Sequence, residues 1–307
     1  MHELLHDAYG LHIKDEVTRF GRHGYTDGES LYFIIKLEKK EACYIEQCML
    51  ARFLREQGCR QIALPIQNHH HSWITNTSHM YVIVFKLPYM NVLEPSIPFQ
   101  HLATFHKISQ TFPFEPQYMN DYGFWSTIWQ DQVITMKRQV EKAIVLNNST
   151  VLNTIIDNLP EFMRLSKLAI QLLTEAENES YFNRTDRPAI CFNRYEEQQQ
   201  TPIILPSELV YDHPVRDIAE RIRYHVLHDS IHRDIEVKEW LERYQAVQPL
   251  STLGMRMLYA RLLYPSHFWE MCDWMIAAPR SKKYVEVIER LIKRHRSYLN
   301  RVNDMFK

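Results

Sequence analysis

Glycine is scarce in this sequence: seven residues among 307, where average usage of about 7% would give about twenty. Dinucleotide folds and P-loop enzymes need several glycines in short fingerprints, because backbone must approach a phosphate closely. Gly10, Gly21, Gly24, Gly28, Gly58, Gly123 and Gly254 form neither G-x-G-x-x-G nor G-x-x-x-x-G-K-[ST], which excludes both readings. Cysteine is also sparse, odd in number and scattered. Cys43, Cys48, Cys59, Cys191 and Cys272 include no C-x-x-C pair, so neither a disulfide framework nor a zinc knuckle is indicated and reduced, buried thiols are expected.

A surplus of one charge is missing too. Lysine plus arginine number 36 against 37 acids, a formal charge of −1, so nothing steers the whole molecule toward polyanions and nucleic acid is not an expected partner. The end of the chain is locally basic (Lys282, Lys283, Arg290, Lys293, Arg294, Arg296, Arg301), the usual composition of a solvated helix face. No apolar run approaches the roughly 20 residues needed to cross a bilayer. The segment Met1 to Asp7 lacks the basic-then-apolar order of a signal peptide. A chain without signal peptide, made and kept in a cytosol, is the expectation.

What is present is a strand-rich beginning followed by helices. Leu31–Leu37 and Met80–Phe85 are short β-branched and aromatic runs, and Gly21 to Gly28 reads as a hairpin turn. Between them, Glu41 to Gln57 has helical spacing, with Gly58 placed as a C-cap. Three prolines between Leu87 and Pro98 mark a linker. Helices are predicted over Phe99–Gln110, Phe124–Leu146, Val151–Ala176, Val215–His228, Ile235–Tyr244, Ser251–Leu263, Ser266–Ala277 and Lys282–Phe306, with Ala189–Phe192 and Pro202–Leu209 extended. The reading is an α+β, two-lobed, protein-kinase-like chain. A small antiparallel sheet with one helix forms an N-lobe over 1–90, and a helical C-lobe carrying one hairpin spans 91–307.

In the kinase order of elements a lysine ending a strand holds nucleotide phosphates and pairs with a helix glutamate. Lys36 fits the strand position, and Glu46 or Glu41 fits the partner. Spacing alone serves equally an edge-strand lysine that discourages aggregation.

Longer blocks carry a resemblance. Leu102-Ala103-Thr104-Phe105-His106-Lys107-Ile108-Ser109, Asp212-His213-Pro214-Val215-Arg216-Asp217-Ile218-Ala219, and Tyr244 to Ser251 followed by Leu258 to Pro265 and Phe268-Trp269 run in this order. They are similar to the L-A-x-F-H-x-x-S, D-x-P-x-R-D-L-A, Y-x-x-V-R-P-L-S and L-Y-x-x-L-L-x-P-x-x-F-W segments of the CotS-type spore-coat family, whose fold is that of aminoglycoside phosphotransferases. Within that family the YutH-type branch is the nearest match. The resemblance implies an endospore coat component or assembly factor, formed in the mother-cell cytoplasm, with other spore coat proteins as partners.

The chemistry of the ancestral enzymes departs here. Their catalytic loop reads H-G-D-x-H-x-x-N after a short strand; here Phe192-Asn193-Arg194-Tyr195-Glu196-Glu197-Gln198-Gln199 follows Ala189-Ile190-Cys191. Arg194 takes the place of the catalytic aspartate and Gln199 that of the metal-binding asparagine, while Asn193 replaces the loop glycine. A guanidinium carries no acceptor and stays charged, so it neither takes a hydroxyl proton nor binds Mg²⁺. The next metal acid falls near Leu205, with Glu208 as the nearby acid. One carboxylate holds Mg²⁺, and hence ATP, weakly. Asp217 is expected to be structural, favoured at a helix start, with Asp212 and Pro214 shaping the turn before it. The expectation is a pseudokinase with no catalytic residues, no required cofactor, and Lys36 and Glu46 as vestigial nucleotide contacts. The competing reading is an active atypical small-molecule or protein kinase that uses ATP with a displaced carboxylate from Glu196, Glu197 or Glu208.

Three other patterns carry less. Ile231-His232-Arg233-Asp234 spells a kinase H-R-D but has no strand before it and no asparagine five positions on. His225, His228, Asp229 and His232 have helical spacing compatible with a metal or with a phosphohydrolase, and equally with a solvated helix face. His69-His70-His71 with His79 belongs to a turn. The stripe Phe124, Trp125, Ile128, Trp129, Val133, Met136 reads as core, and any exposed part of it as a partner surface.

Overall fold

The computed structural model describes residues 1–93, 101–146, 150–179, 182–195, 201–228, 233–277 and 283–306. Contacts group the chain into two compact units, Met1–Asp121 with Pro188–Pro214, and Tyr122–Arg187 with Val215–Lys307. This division differs from the expected boundary at residue 90. Backbone bonds explain the grouping: Ile204 exchanges hydrogen bonds with Gln61 and Ala63, and Tyr211 with Met119 and Asp121. The hairpin segment 188–214 thereby joins the unit that holds the sheet.

In the first unit α1 (His2–Tyr9) precedes β1 (Asp15–Arg19), β2 (Arg22–Thr26) and β3 (Ser30–Lys36). Helix α2 (Glu41–Glu56), β4 (Leu64–Pro65), β5 (Ile74–Asn76), β6 (Tyr81–Pro88), α3 (Tyr89–Leu93) and α4 (Leu102–Ser109) follow. The sheet runs β1-β2-β3-β6-β4, with β5 also on β6, and all these pairings are antiparallel. Phe33 opposite Phe85 and Ile35 opposite Ile83 set the β3–β6 register. The turn between β1 and β2 is two residues, Phe20 and Gly21, both at positive φ (50° and 73°), the twist that suits a tight hairpin. Gly24 is inside β2, where a Cβ would lie 2.8 Å from the Tyr32 carbonyl oxygen.

The sequence offered no signal for α1 beyond a few apolar residues. It forms because Leu5 drops into a core of Tyr25, Tyr32 and Val84, Gly10 closes its C-terminus in the left-handed region, and Tyr9 shares a 2.7 Å hydrogen bond with Thr75. Helix α2 is amphipathic as expected, burying Cys43, Tyr44, Gln47, Cys48, Leu50, Ala51 and Leu54. Tyr44 ties it to the strand before it: its hydroxyl oxygen accepts the Glu38 amide at 2.8 Å, just beyond Lys36. All five cysteines are free and buried; burial pushes the Cys48 and Cys59 thiols up to about 12.

In the second unit α5 (Trp125–Leu146), α6 (Thr150–Glu179), α7 (Val215–His228), α8 (Arg233–Val247), α9 (Thr252–Leu263), α10 (Ser266–Ala277) and α11 (Lys283–Met305) pack on one another. The rings of Phe162 on α6 and Phe268 on α10 stack, with centroids 3.6 Å apart. Trp269 donates its indole N–H to Ser166 at 3.0 Å. Arg223 on α7 donates to the Arg261 carbonyl at 2.6 Å, satisfying an orphan acceptor at the end of α9. The predicted aromatic stripe divides: Trp125, Trp129 and Met136 are buried, and Phe124 and Ile128 are exposed. Trp129 lies flat on Tyr264, centroids 4.3 Å apart. No helix among the described residues is long and apolar enough to cross a membrane.

Phe162 has no exposed surface, so Phe162→Ala should cost about 3–5 kcal/mol of unfolding free energy, the range for deleting a buried aromatic ring. Urea denaturation of the two proteins measures it; a loss under about 1 kcal/mol would contradict the packing described.

Candidate functional site

The segment in the catalytic-loop position opens with β7 (Ala189–Phe192), which pairs with β8 (Leu209–Asp212) in the register Ala189 to Asp212 through Phe192 to Leu209. The pairing continues one residue further, where the Asn193 amide donates to the Glu208 carbonyl at 2.7 Å. Asn193 and Arg194 then turn, with Arg194 exposed and Tyr195 buried. Gln199, Glu196 and Glu197 lie outside the described residues, as do Asp229, His232 and the start of the H-R-D tetrapeptide.

Helix α4 supports this hairpin, and its sequence block now has a physical reading. Phe105 and Ser109, four residues apart, share one face. Phe105 stacks on Phe192 with centroids 5.0 Å apart. The Ser109 Oγ accepts the Ile190 amide at 3.0 Å and donates to the His106 carbonyl at 2.9 Å. His106 is fully buried, with Nε2 4.0 Å from Cys191 Sγ. Burial drives the imidazole pKa down to about 3, so the ring is neutral in the folded protein.

The other acids that sequence reasoning placed near the chemistry lie among the described residues. Glu46 on α2 accepts three successive backbone amides, Gln117 at 2.7 Å, Tyr118 at 2.9 Å and Met119 at 3.0 Å. The Met119 carbonyl accepts the Tyr211 amide at 2.8 Å, so Glu46 fixes the segment that flanks β8. Lys36 is exposed at the end of β3, and no Lys36–Glu46 ion pair occurs among the described residues. Glu41 is exposed in the first turn of α2. Glu208, in a 3₁₀ turn before β8, forms an ion pair with Arg22 on β2, the two side chains 29% and 15% exposed. Asp212 is fully buried and its Oδ1 accepts the His213 amide at 2.7 Å. Pro214 is buried after it, and Asp217 is buried in the first turn of α7.

Arg22 was not singled out from the sequence. The hairpin turn at Gly21 was visible, but a bond spanning 186 positions leaves no local pattern. Among the histidines, His225 stands on α7, and His69 and His70 occupy a turn organised by Asn68, whose Oδ1 accepts the His70 and Ser72 amides.

The family model described as "Spore coat putative kinase YutH" matches residues 2–305. The chain belongs to this family. A YutH-family relative, the endospore coat-associated protein YutH of Bacillus subtilis (strain 168), is 28% identical over 187 residues, which span 60% of this chain and 55% of that protein. The chain therefore matches about half the length of that curated relative. The aminoglycoside phosphotransferase of Alicyclobacillus acidocaldarius has a TM-score of 0.64 at 13% identity, covering 97% of this chain and 94% of that one. Spectinomycin phosphotransferase, solved with ADP and spectinomycin, has a TM-score of 0.55 at 12% identity over 97% and 96%. The YutH-family fold is thus the kinase-like fold of the aminoglycoside phosphotransferases.

The neutral state of His106 gives a signed pH dependence. In the unfolded chain this imidazole protonates near 6.5, whereas the folded value is about 3, so its contribution to stability is complete above 6.5 and is lost as the pH falls toward 3. The loss is roughly 1.4 kcal/mol per pH unit below about 6. Urea titrations between pH 7 and 4 should show a shallower slope for His106→Gln than for the native protein; equal slopes would contradict the assignment.

Proposed function

We propose that this protein is a pseudokinase of the endospore coat: it keeps the phosphotransferase scaffold, has lost phosphoryl transfer, and works by binding other coat proteins. Family membership and the B. subtilis relative's association with the endospore coat support the setting. On this reading the protein is made in the mother-cell cytoplasm and then taken into the coat.

The observation that carries the loss of chemistry is the fate of the two key positions. Arg194 leaves β7 where the ancestral enzymes place their catalytic aspartate, and Glu208, the acid near the metal position, is held by Arg22. A guanidinium has no acceptor for a hydroxyl proton. With its Oε1 held by Arg22, the Glu208 carboxylate would have to give up that charge-assisted bond before it could bind magnesium through both oxygens. The residues present therefore fit magnesium poorly, and no transfer step runs through it. Arg22 also stands directly after the β1–β2 turn. In kinases the equivalent glycine-rich loop covers the nucleotide phosphates; here a two-residue turn without a glycine run takes that place. Nucleotide, when it binds, would do so weakly through the exposed Lys36 and without Glu46, whose oxygens hold the 117–119 amides.

The test is calorimetric titration with ATP and Mg²⁺ beside a phosphoryl-transfer assay on small hydroxyl and amino substrates. The expected result is no turnover and no micromolar Mg²⁺-dependent binding. Micromolar binding with turnover that disappears in Glu208→Ala would establish the active atypical kinase in its place.

A further inference from the structure

Three elements of the first unit bring metal-ligating side chains to one place on its surface. Glu16 lies on β1 directly opposite Tyr25 on β2, and His23 is two residues before Tyr25. Opposed residues and residues two apart share a face, so Glu16, His23 and Tyr25 stand on one side of the hairpin. Helix α1 packs on that side through Leu5, which meets Tyr25. His2, at the start of α1, thereby reaches the glutamate. His23 Nε2 lies 3.2 Å from Glu16 Oε1, and His2 Nε2 lies 3.9 Å from Oε2. Both imidazoles also stand edge-on to the buried Tyr25 ring, with centroids 5.6 and 5.2 Å away, so one aromatic side chain positions both histidines.

Two imidazole nitrogens and one carboxylate make a zinc donor set. In a tetrahedral site with metal–ligand distances of about 2.0–2.2 Å, neighbouring ligand atoms lie about 3.3 Å apart. The His23–Glu16 separation already has that value. An ion would draw His2 in by about 0.6 Å and bring the two ring nitrogens together, movements open to side chains that are about half exposed. Glu16 forms no ion pair with lysine or arginine among the described residues. With neutral imidazoles the set therefore carries one negative charge, which suits a divalent cation. Mg²⁺ and Ca²⁺ need several oxygens and fit it poorly, whereas imidazole suits the late first-row metals. His6, one turn after His2, is engaged elsewhere: its Nδ1 lies 2.9 Å from Asp7 Oδ1, and its ring stands edge-on to His12 with centroids 5.5 Å apart.

We infer that His2, Glu16 and His23 form a site for a zinc-type divalent ion, with water as the fourth ligand, and that the ion clamps α1 to the β1–β2 hairpin. The site shares no residue with the Arg22–Glu208 pair, and the inference is independent of whether the protein transfers phosphoryl groups.

Calorimetric titration of Zn²⁺ into the full chain, first stripped of metal by a chelator, tests it, with Mg²⁺ as the control ion. The tightest equivalent of Zn²⁺ should bind with a Kd at or below about 10 μM, and Mg²⁺ should bind at least about a hundredfold more weakly. His2→Gln, Glu16→Gln and His23→Gln, all at exposed positions, should each weaken that equivalent at least about tenfold. His23→Cys, which keeps a zinc ligand, should stay within about threefold of the native chain. The chain has 16 histidines, so His6→Gln and a His69→Gln/His70→Gln/His71→Gln triple variant serve as controls and should bind as the native chain does. Hydrogen exchange of the α1 amides should slow at saturating Zn²⁺ in the native chain and not in His23→Gln. No saturable Zn²⁺ binding up to about 1 mM, equal affinity for Mg²⁺, unchanged binding in any of the three single Gln variants at the site, or loss of binding in either control would overturn the site. Exchange in α1 that bound Zn²⁺ leaves unaltered would overturn the clamp.

Discussion

Arg22 and Glu208 meet across the first unit, one on the second strand of the sheet and the other in the turn that leads into β8. Both side chains are largely sheltered from water, so each needs the other: removing one partner would leave a charge with little solvent to compensate it. The pair fastens the β1–β2 hairpin to the β7–β8 hairpin and occupies the acid nearest the expected metal position. Glu46 is committed in a parallel way, to three backbone amides. Both carboxylates serve as fasteners for the fold.

Helix α4 supports the hairpin through uncharged groups. Ser109 accepts and donates at once, Phe105 stacks on Phe192, and His106 stays neutral beside Cys191. This arrangement holds β7 and β8 in place whether or not the loop between them carries catalytic groups. That separation of scaffold from chemistry explains how Asn193 and Arg194 can stand in the loop while the strands keep regular antiparallel register.

Much of this architecture was legible in the sequence because its signals are local. The spacing over Glu41–Gln57 and the glycine at 58 gave α2 to within a residue, and Val215–His228 and Ser266–Ala277 match the observed helices. The helix α1 was invisible because its existence depends on Leu5 finding Tyr25 and Tyr32, a tertiary event. Pro202–Leu209 read as one extended run, yet the proline at 206 begins a 3₁₀ turn and the strand starts at Leu209. At the site, residue types told which groups were absent, and the α4 block told that a helix mattered. Sequence could not tell that Glu46 faces the 117–119 amides rather than Lys36, nor that Glu208 belongs to Arg22. Those choices are made by side chains brought together over 71 to 186 positions.

On the proposed reading, Arg22 keeps Glu208, the described acid nearest the expected metal position, from holding a metal–nucleotide complex. Electron paramagnetic resonance of Mn²⁺, titrated into the protein with a non-hydrolysable ATP analogue, measures that directly. The account predicts no protein-bound Mn²⁺–nucleotide at concentrations up to about 1 mM. Stoichiometric binding to the native protein that is lost in Glu208→Gln would contradict it.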